Sequence, residues 1–185
     1  MIVLQHRFAY SWYFFRVTDE GLNCITSNVG NTLEVLDLGL CHEVTCDAVA
    51  LIAQRCPRLR QLTLDKCGNT NSETVRTLCL RLQSLTHLHL ACLPLLTDAV
   101  LDAFSFARSL EEVDLSFCKE LTAHGIQMMI HRSKKPLRAV HVTGKGLLDE
   151  NTAILGVTSQ MTPGWILDHD ETYRRTEMSS TEYVD

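Results

Sequence analysis

The chain has 185 residues, 45% of them hydrophobic and 21% charged, with a formal net charge of −5. That length and apolar content suit one domain with a continuous core and exclude a chain disordered throughout. The acidic total argues against nucleic acid as a partner, since phosphate binding calls for a clustered basic surface, and no apolar run approaches the roughly 18 residues that cross a bilayer, so no membrane segment is expected.

Residues 1–16 carry no repeat pattern but hold seven aromatic or histidine side chains: His6, Phe8, Tyr10, Trp12, Tyr13, Phe14 and Phe15. They read as an N-terminal cap or non-repeat segment, because a stack of repeats needs its open end covered. His6 and Arg7 interrupt the apolar stretch and no small-residue cleavage site follows, so it does not read as a secretory signal. The eight cysteines are accordingly expected to be reduced thiols in a protein of the cytoplasm or nucleus.

From residue 17 the chain repeats. Val17–Ile25 matches the helical half of a strand–helix unit, whose strand is expected within residues 8–14 although leucines are missing there. Four segments then line up: Leu33-Glu-Val-Leu36-Asp-Leu38, Leu59-Arg-Gln-Leu62-Thr-Leu64, Leu85-Thr-His-Leu88-His-Leu90 and Leu110-Glu-Glu-Val113-Asp-Leu115. A weaker fifth, Leu137-Arg-Ala-Val140-His-Val142, follows, and the first leucines are spaced by 26, 26, 25 and 27 residues. Alternating apolar and polar positions make each segment a half-buried strand. Seven residues past the last leucine stand Thr45, Asn71, Thr97 and Thr122, each placed to cap a helix by accepting from an orphan backbone N–H. Apolar residues follow at +4 and +7 from each cap: Val49 and Ile52, Val75 and Leu78, Leu101 and Phe104, Ile126 and Met129. That spacing lines one helical face. Cys56-Pro57 and Pro136 close two of the helices, and the basic His131–Lys135 run sits at a helix C-terminus, where it favours the dipole.

One strand and one helix cannot bury both apolar faces alone, so the units are expected to stack into an α/β solenoid, with a parallel sheet on the concave side and helices on the convex side. Past the last strand, Gly144-Lys145-Gly146 reads as a turn, residues 149–167 as a short cap and residues 168–185 as a polar, disordered tail.

The phrases Val17-Thr-Asp-Glu-Gly-Leu22, Leu36-Asp-Leu-Gly-Leu-Cys41, Cys56-Pro-Arg-Leu59 and Leu115-Ser-Phe-Cys118 resemble the cysteine-containing leucine-rich repeats. These are best known from F-box proteins, the substrate-recognition subunits of cullin-RING (SCF-type) ubiquitin ligases. The likeness covers residues 17–148 and implies a short leucine-rich-repeat horseshoe of about five units that grips a protein partner. It also implies a Skp-type adaptor and a cullin complex as further partners. The residues ahead of the first repeat helix do not look like an F-box, and the repeat signature has Leu93 and Lys145 where Cys41, Cys67 and Cys118 stand elsewhere.

The candidate binding surface is the concave face. Its central row reads Asp37, Thr63, His89, Asp114, His141; the row before it reads Val35, Gln61, His87, Glu112, Ala139; and the row after it reads Gly39, Asp65, Ala91, Ser116, Thr143. Parallel strands lie about 4.8 Å apart, which makes the members of a row lateral neighbours. Gln61, Thr63, His87, His89, Glu112, Asp114 and His141 are the protein-binding candidates. Three readings of this cluster compete. It can be a polar recognition surface, a contact whose partner binding strengthens below about pH 6.5 as histidines take up protons, or a zinc site built from His89, Asp114 and His141.

No cofactor and no catalytic site are expected. The sequence has no G-x-S-x-G, no phosphate-cradling glycine loop and no H-E-x-x-H. The turn cysteines Cys41, Cys67 and Cys118 read as small apolar side chains with a weak donor rather than as a metal or redox site, because no C-x-x-C pair exists. The alternatives are a stand-alone or fragmentary repeat module unrelated to ubiquitination, and a metal-dependent or thiol enzyme using His89, Asp114 and His141.

Overall fold

Each L-x-x-L-x-L segment places its middle apolar residue toward the core and the two flanking residues outward, and the computed structural model follows that pattern. It describes residues 2–5, 8–11, 17–132 and 137–142. The strands are β1 Ile2–Gln5, β2 Phe8–Ser11, β3 Val35–Asp37, β4 Gln61–Thr63, β5 His87–His89, β6 Glu112–Asp114 and β7 Ala139–His141. Among the described residues they form one open sheet in chain order, with β1 antiparallel to β2 and β2 to β7 all parallel. Leu36, Leu62, Leu88, Val113 and Val140 are buried at the strand centres.

The strand expected ahead of the first repeat helix is β2, which pairs in register with β3 although it reads Phe-Ala-Tyr-Ser. Ala9, its buried member, stands in the core position that leucine or valine fills in later coils. The turn at Gly144–Gly146, the fifth unit's Lys145, Thr143, Pro136, the cap at 149–167 and the tail at 168–185 lie outside the described residues.

The helices lie between consecutive strands: α1 Asp19–Val29, α2 Cys46–Arg55, α3 Ser72–Arg81 and α4 Ala123–Arg132. The Thr18, Thr45 and Thr122 hydroxyls accept from the backbone N–H groups of Gly21, Ala48 and Gly125, and Asn71 Oδ1 accepts from that of Thr74. Every +4 and +7 apolar residue is buried.

Thr97 departs from this scheme. Its side chain caps nothing, and residues Asp98–Phe106 form a 3-10 helix instead of an α-helix. The coil from Leu85 to Leu110 is 25 residues long where its two predecessors have 26. A 3-10 helix rises about 2.0 Å per residue against about 1.5 Å for an α-helix, so it spans the same layer with fewer residues.

A ladder along the helix N-termini ties successive coils. The Asp19 carboxylate accepts from Thr45 N–H at 2.8 Å and from the Thr45 hydroxyl at 2.7 Å, and Asp98 receives the same pair from Thr122 at 2.8 and 2.6 Å. Ser72 Oγ takes this place toward Thr97 N–H at 3.0 Å. In the first coil, that of β3, Cys46 stands there instead, and its thiol donates to the Asn69 carbonyl at 2.6 Å.

The turns leaving the strands repeat a second feature. Leu40, Lys66, Cys92 and Phe117 all have positive φ, between 58° and 68°, a region that favours glycine. The backbone N–H of Leu40, Lys66 and Cys92 donates to the carbonyl of Asp65, Ala91 and Ser116 in the next coil, at 2.8–2.9 Å. Just after them, the thiols of Cys67 and Cys118 donate back to the Leu38 and Leu90 carbonyls, both at 3.1 Å. Leu93, in the third coil, is buried there without a donor. The apolar residues of strands, turns and helices form one continuous buried core running from Ala9 to Val142. Fully burying each leucine contributes about 1.5–3 kcal/mol.

Candidate functional site

Because the strands pair in register, residues at equal steps along each coil become lateral neighbours. Gln61, His87, Glu112 and Ala139 form one row from β4 to β7, and Thr63, His89, Asp114 and His141 form the next. Val35 and Asp37 extend the two rows onto β3. All seven binding candidates therefore stand on the outer face of the sheet, and each is partly exposed.

The side-chain contacts within this face differ from a simple His–Asp–His row. Glu112 is the hub: His141 Nε2 lies 3.2 Å from Oε1, and His87 Nε2 lies 3.8 Å from Oε2. His141 thus reaches diagonally across to the neighbouring row. Asp114 is turned along its own strand, where Oδ1 accepts from Ser116 N–H at 2.9 Å, and Asp37 does the same for Gly39 at 2.8 Å. Among the described residues no group of three or more His, Cys, Asp or Glu side chains is placed to hold a metal ion, and the His89, Asp114 and His141 set is not drawn together as one.

Asp65, absent from the sequence-based candidates, belongs at the centre of this face. In the third coil His89 occupies the position of Asp37 and Asp114, so no aspartate of that coil can hold the Ala91 N–H. Asp65 of the preceding coil accepts it instead, at 2.8 Å. Burial pushes the Asp65 carboxyl above its ordinary value of 3.8, and the nearby Asp114 and Asp37 charges push it the same way; the Ala91 N–H and His89 pull against them. The sequence does carry a signal for this role: the turn aspartate is missing at both Thr63 and His89, and the first of these two coils carries an acid two positions later, at Asp65.

All eight cysteines are free thiols. Burial pushes Cys56, Cys67 and Cys79 up to about 12 and Cys118 up to about 11, which holds them protonated at neutral pH and quenches them as nucleophiles. Among the described residues no helix is long and apolar enough to cross a membrane.

No protein-family model matches the sequence. Among solved structures, the chain is similar to the Rad7 and Elc1 complex of yeast, with a TM-score of 0.62 and 23% identity over 83% of this chain and 38% of that one. It is also similar to the tropomodulin C-terminal domain of Caenorhabditis elegans, with a TM-score of 0.58 and 12% identity over 78% of this chain and 92% of that one. The chain thus spans well under half the length of the first of these. At such identities the likeness carries the fold, a repeat-like stack of strands and helices, and nothing finer.

Proposed function

We propose that the chain is a leucine-rich-repeat horseshoe whose outer sheet face holds a protein partner, without catalysis, in the cytoplasm or nucleus. One observation carries this reading: the sheet presents two in-register rows of partly exposed polar side chains, Gln61, His87 and Glu112 in one and Asp37, Thr63, His89, Asp114 and His141 in the other, backed by an unbroken apolar core. A face of this kind offers many hydrogen-bonding groups held on a rigid support, the usual means by which stacked repeats recognise proteins. The more specific form of the proposal is substrate recognition for an SCF-type ubiquitin ligase, or descent from such a subunit. It draws on the cysteine-repeat phrases of the sequence and on the resemblance to the Rad7 and Elc1 complex. On that reading a Skp-type adaptor and a cullin are partners besides the one on the sheet face.

A second reading, a stand-alone binding module, has its own support. The tropomodulin domain is matched over nearly its whole length, so a stack of this size serves as a complete domain elsewhere.

Affinity capture from cell extract tests both, comparing wild type with His87→Ala/Glu112→Ala/His141→Ala. These three side chains are chosen because they carry no turn backbone, unlike Asp65 and Asp114. Loss of one co-purifying protein in the variant alone is the expected result. Skp-type adaptor and cullin retained by both forms support the ligase reading; their absence from both leaves the stand-alone module. A variant that retains every partner overturns the assignment of the sheet face.

A further inference from the structure

The outer sheet face is charged in one sense only. Its three rows hold the carboxylates of Asp37, Asp65, Glu112 and Asp114, and among their described members there is no lysine or arginine. Three of the chain's arginines are engaged elsewhere. Arg55 donates to Asn23 and Ser27 on α1 at 2.6 and 2.9 Å, Arg132 faces Asp102 at 3.6 Å, and Arg138 meets Glu111 at 3.0 Å at the sheet margin. Gly39 and Ala91 flank Asp65 with small side chains, so its carboxylate stands beside low ground rather than behind bulky neighbours. The negative fields add at the centre, since Asp114 and Asp37 both resist ionisation of Asp65.

We propose that this face receives a partner segment carrying lysine or arginine side chains, whose cations lie along Asp65, Asp114 and Glu112. The inference rests on the sheet face being the binding surface and adds the chemistry of what it binds. Complementary charge steers encounter and rejects acidic competitors, because like charges brought together at an interface are repelled. His87 and His141 face Glu112, and His89 lies beside Asp114, so the face offers an incoming cation carboxylates with imidazoles at their sides.

The test uses the full chain and two fluorescein-labelled unstructured peptides, one alternating lysine and arginine with serine, the other its glutamate counterpart, read by anisotropy. The basic probe is expected to bind at least about tenfold more tightly than its twin, and to weaken as salt rises from about 50 to 300 mM. Asp65→Asn/Glu112→Gln/Asp114→Asn is expected to weaken it about tenfold, because it removes charge while each asparagine can still accept the turn N–H. Glu112→Gln alone, which touches no backbone bond in the turns, gives the same direction if the triple variant is unstable. Asp47→Asn/Glu73→Gln, on the helices, leaves binding unchanged. Equal binding of the two probes, equal loss in the helix variant, or an unaffected Glu112→Gln would each overturn the proposal. If cellular partners depend on the sheet face while the basic probe ignores it, this inference fails and the assignment of the face stands.

Discussion

Replacing Thr70 by valine should make the protein more stable, and the structure says why. Thr70 follows its strand turn at the position held by Val44, Leu96 and Leu121 in the other coils, and all four are buried. Their backbones behave alike: the N–H of each donates to the carbonyl three residues back, from Val44 to Cys41, Thr70 to Cys67, Leu96 to Leu93 and Leu121 to Cys118. Thr70 alone brings a hydroxyl into this apolar column, it is 0% exposed, and its Oγ1 has no hydrogen-bond partner among the described residues. An unsatisfied buried hydroxyl costs about 1–3 kcal/mol. Valine has nearly the same shape, so Thr70→Val removes that cost without opening a cavity, a gain of about 1–2 kcal/mol. For a domain of this size that corresponds to a rise in Tm of about 2–8 °C. Guanidinium titration should move the midpoint upward at unchanged slope. Thr70→Ser, which keeps the hydroxyl and loses the methyl, should lower it. A valine variant no more stable than wild type would refute the reasoning, because it would mean that the hydroxyl is satisfied.

Three further outcomes follow from described contacts. A methyl group at Gly125 would run into the Asp98 carboxylate, so Gly125→Ala should break both bonds from Thr122 and lose about 1–3 kcal/mol despite alanine's better helix propensity. In an Asp98→Ala background the same change should be neutral or stabilising, and thermal melts of the double-mutant cycle decide it. Asp65 holds its proton more tightly in the folded chain than its ordinary 3.8. Its contribution is therefore present below that value and is lost as pH climbs through the raised folded value. Asp65→Asn should flatten this decline and raise stability at neutral pH, and unfolding midpoints measured from mild acid to neutrality that show an unchanged slope would contradict it. Iodoacetamide should label exposed Cys24 first, while Cys56, Cys67, Cys79 and Cys118 resist until the chain unfolds. Peptide mass spectrometry of a time course reads the order.

The repeat was legible because its signals are periodic. Leucines at a steady spacing located β3 to β7, and Thr45, Asn71 and Thr122 marked true helix starts. Thr97 misled because the cap residue and the +4 and +7 apolar pair look the same ahead of a 3-10 helix; only the coil length of 25 residues distinguishes it. The rows of the sheet face followed from register, which equal spacing dictates. The Glu112 hub did not, since the direction in which His141 leans across rows is decided by local packing and charge rather than by period. Asp65 escaped for a related reason. Its function is a bond to the next coil, and a pattern read one coil at a time does not contain it.

The left-handed turns at Leu40, Lys66 and Cys92 bear on how such a chain assembles. A non-glycine residue in that region is disfavoured by about 1–2 kcal/mol. What holds each one there is an N–H bond to a carbonyl that the following coil provides. A coil by itself has the strain without the bond, so its turn is set only once its successor is seated. Order in this stack is handed backward, from each coil to the one before it. Ending the chain ahead of the coil that holds Ser116 would therefore loosen not only the new end but also the turn at Cys92, whose partner carbonyl has gone with the deleted residues.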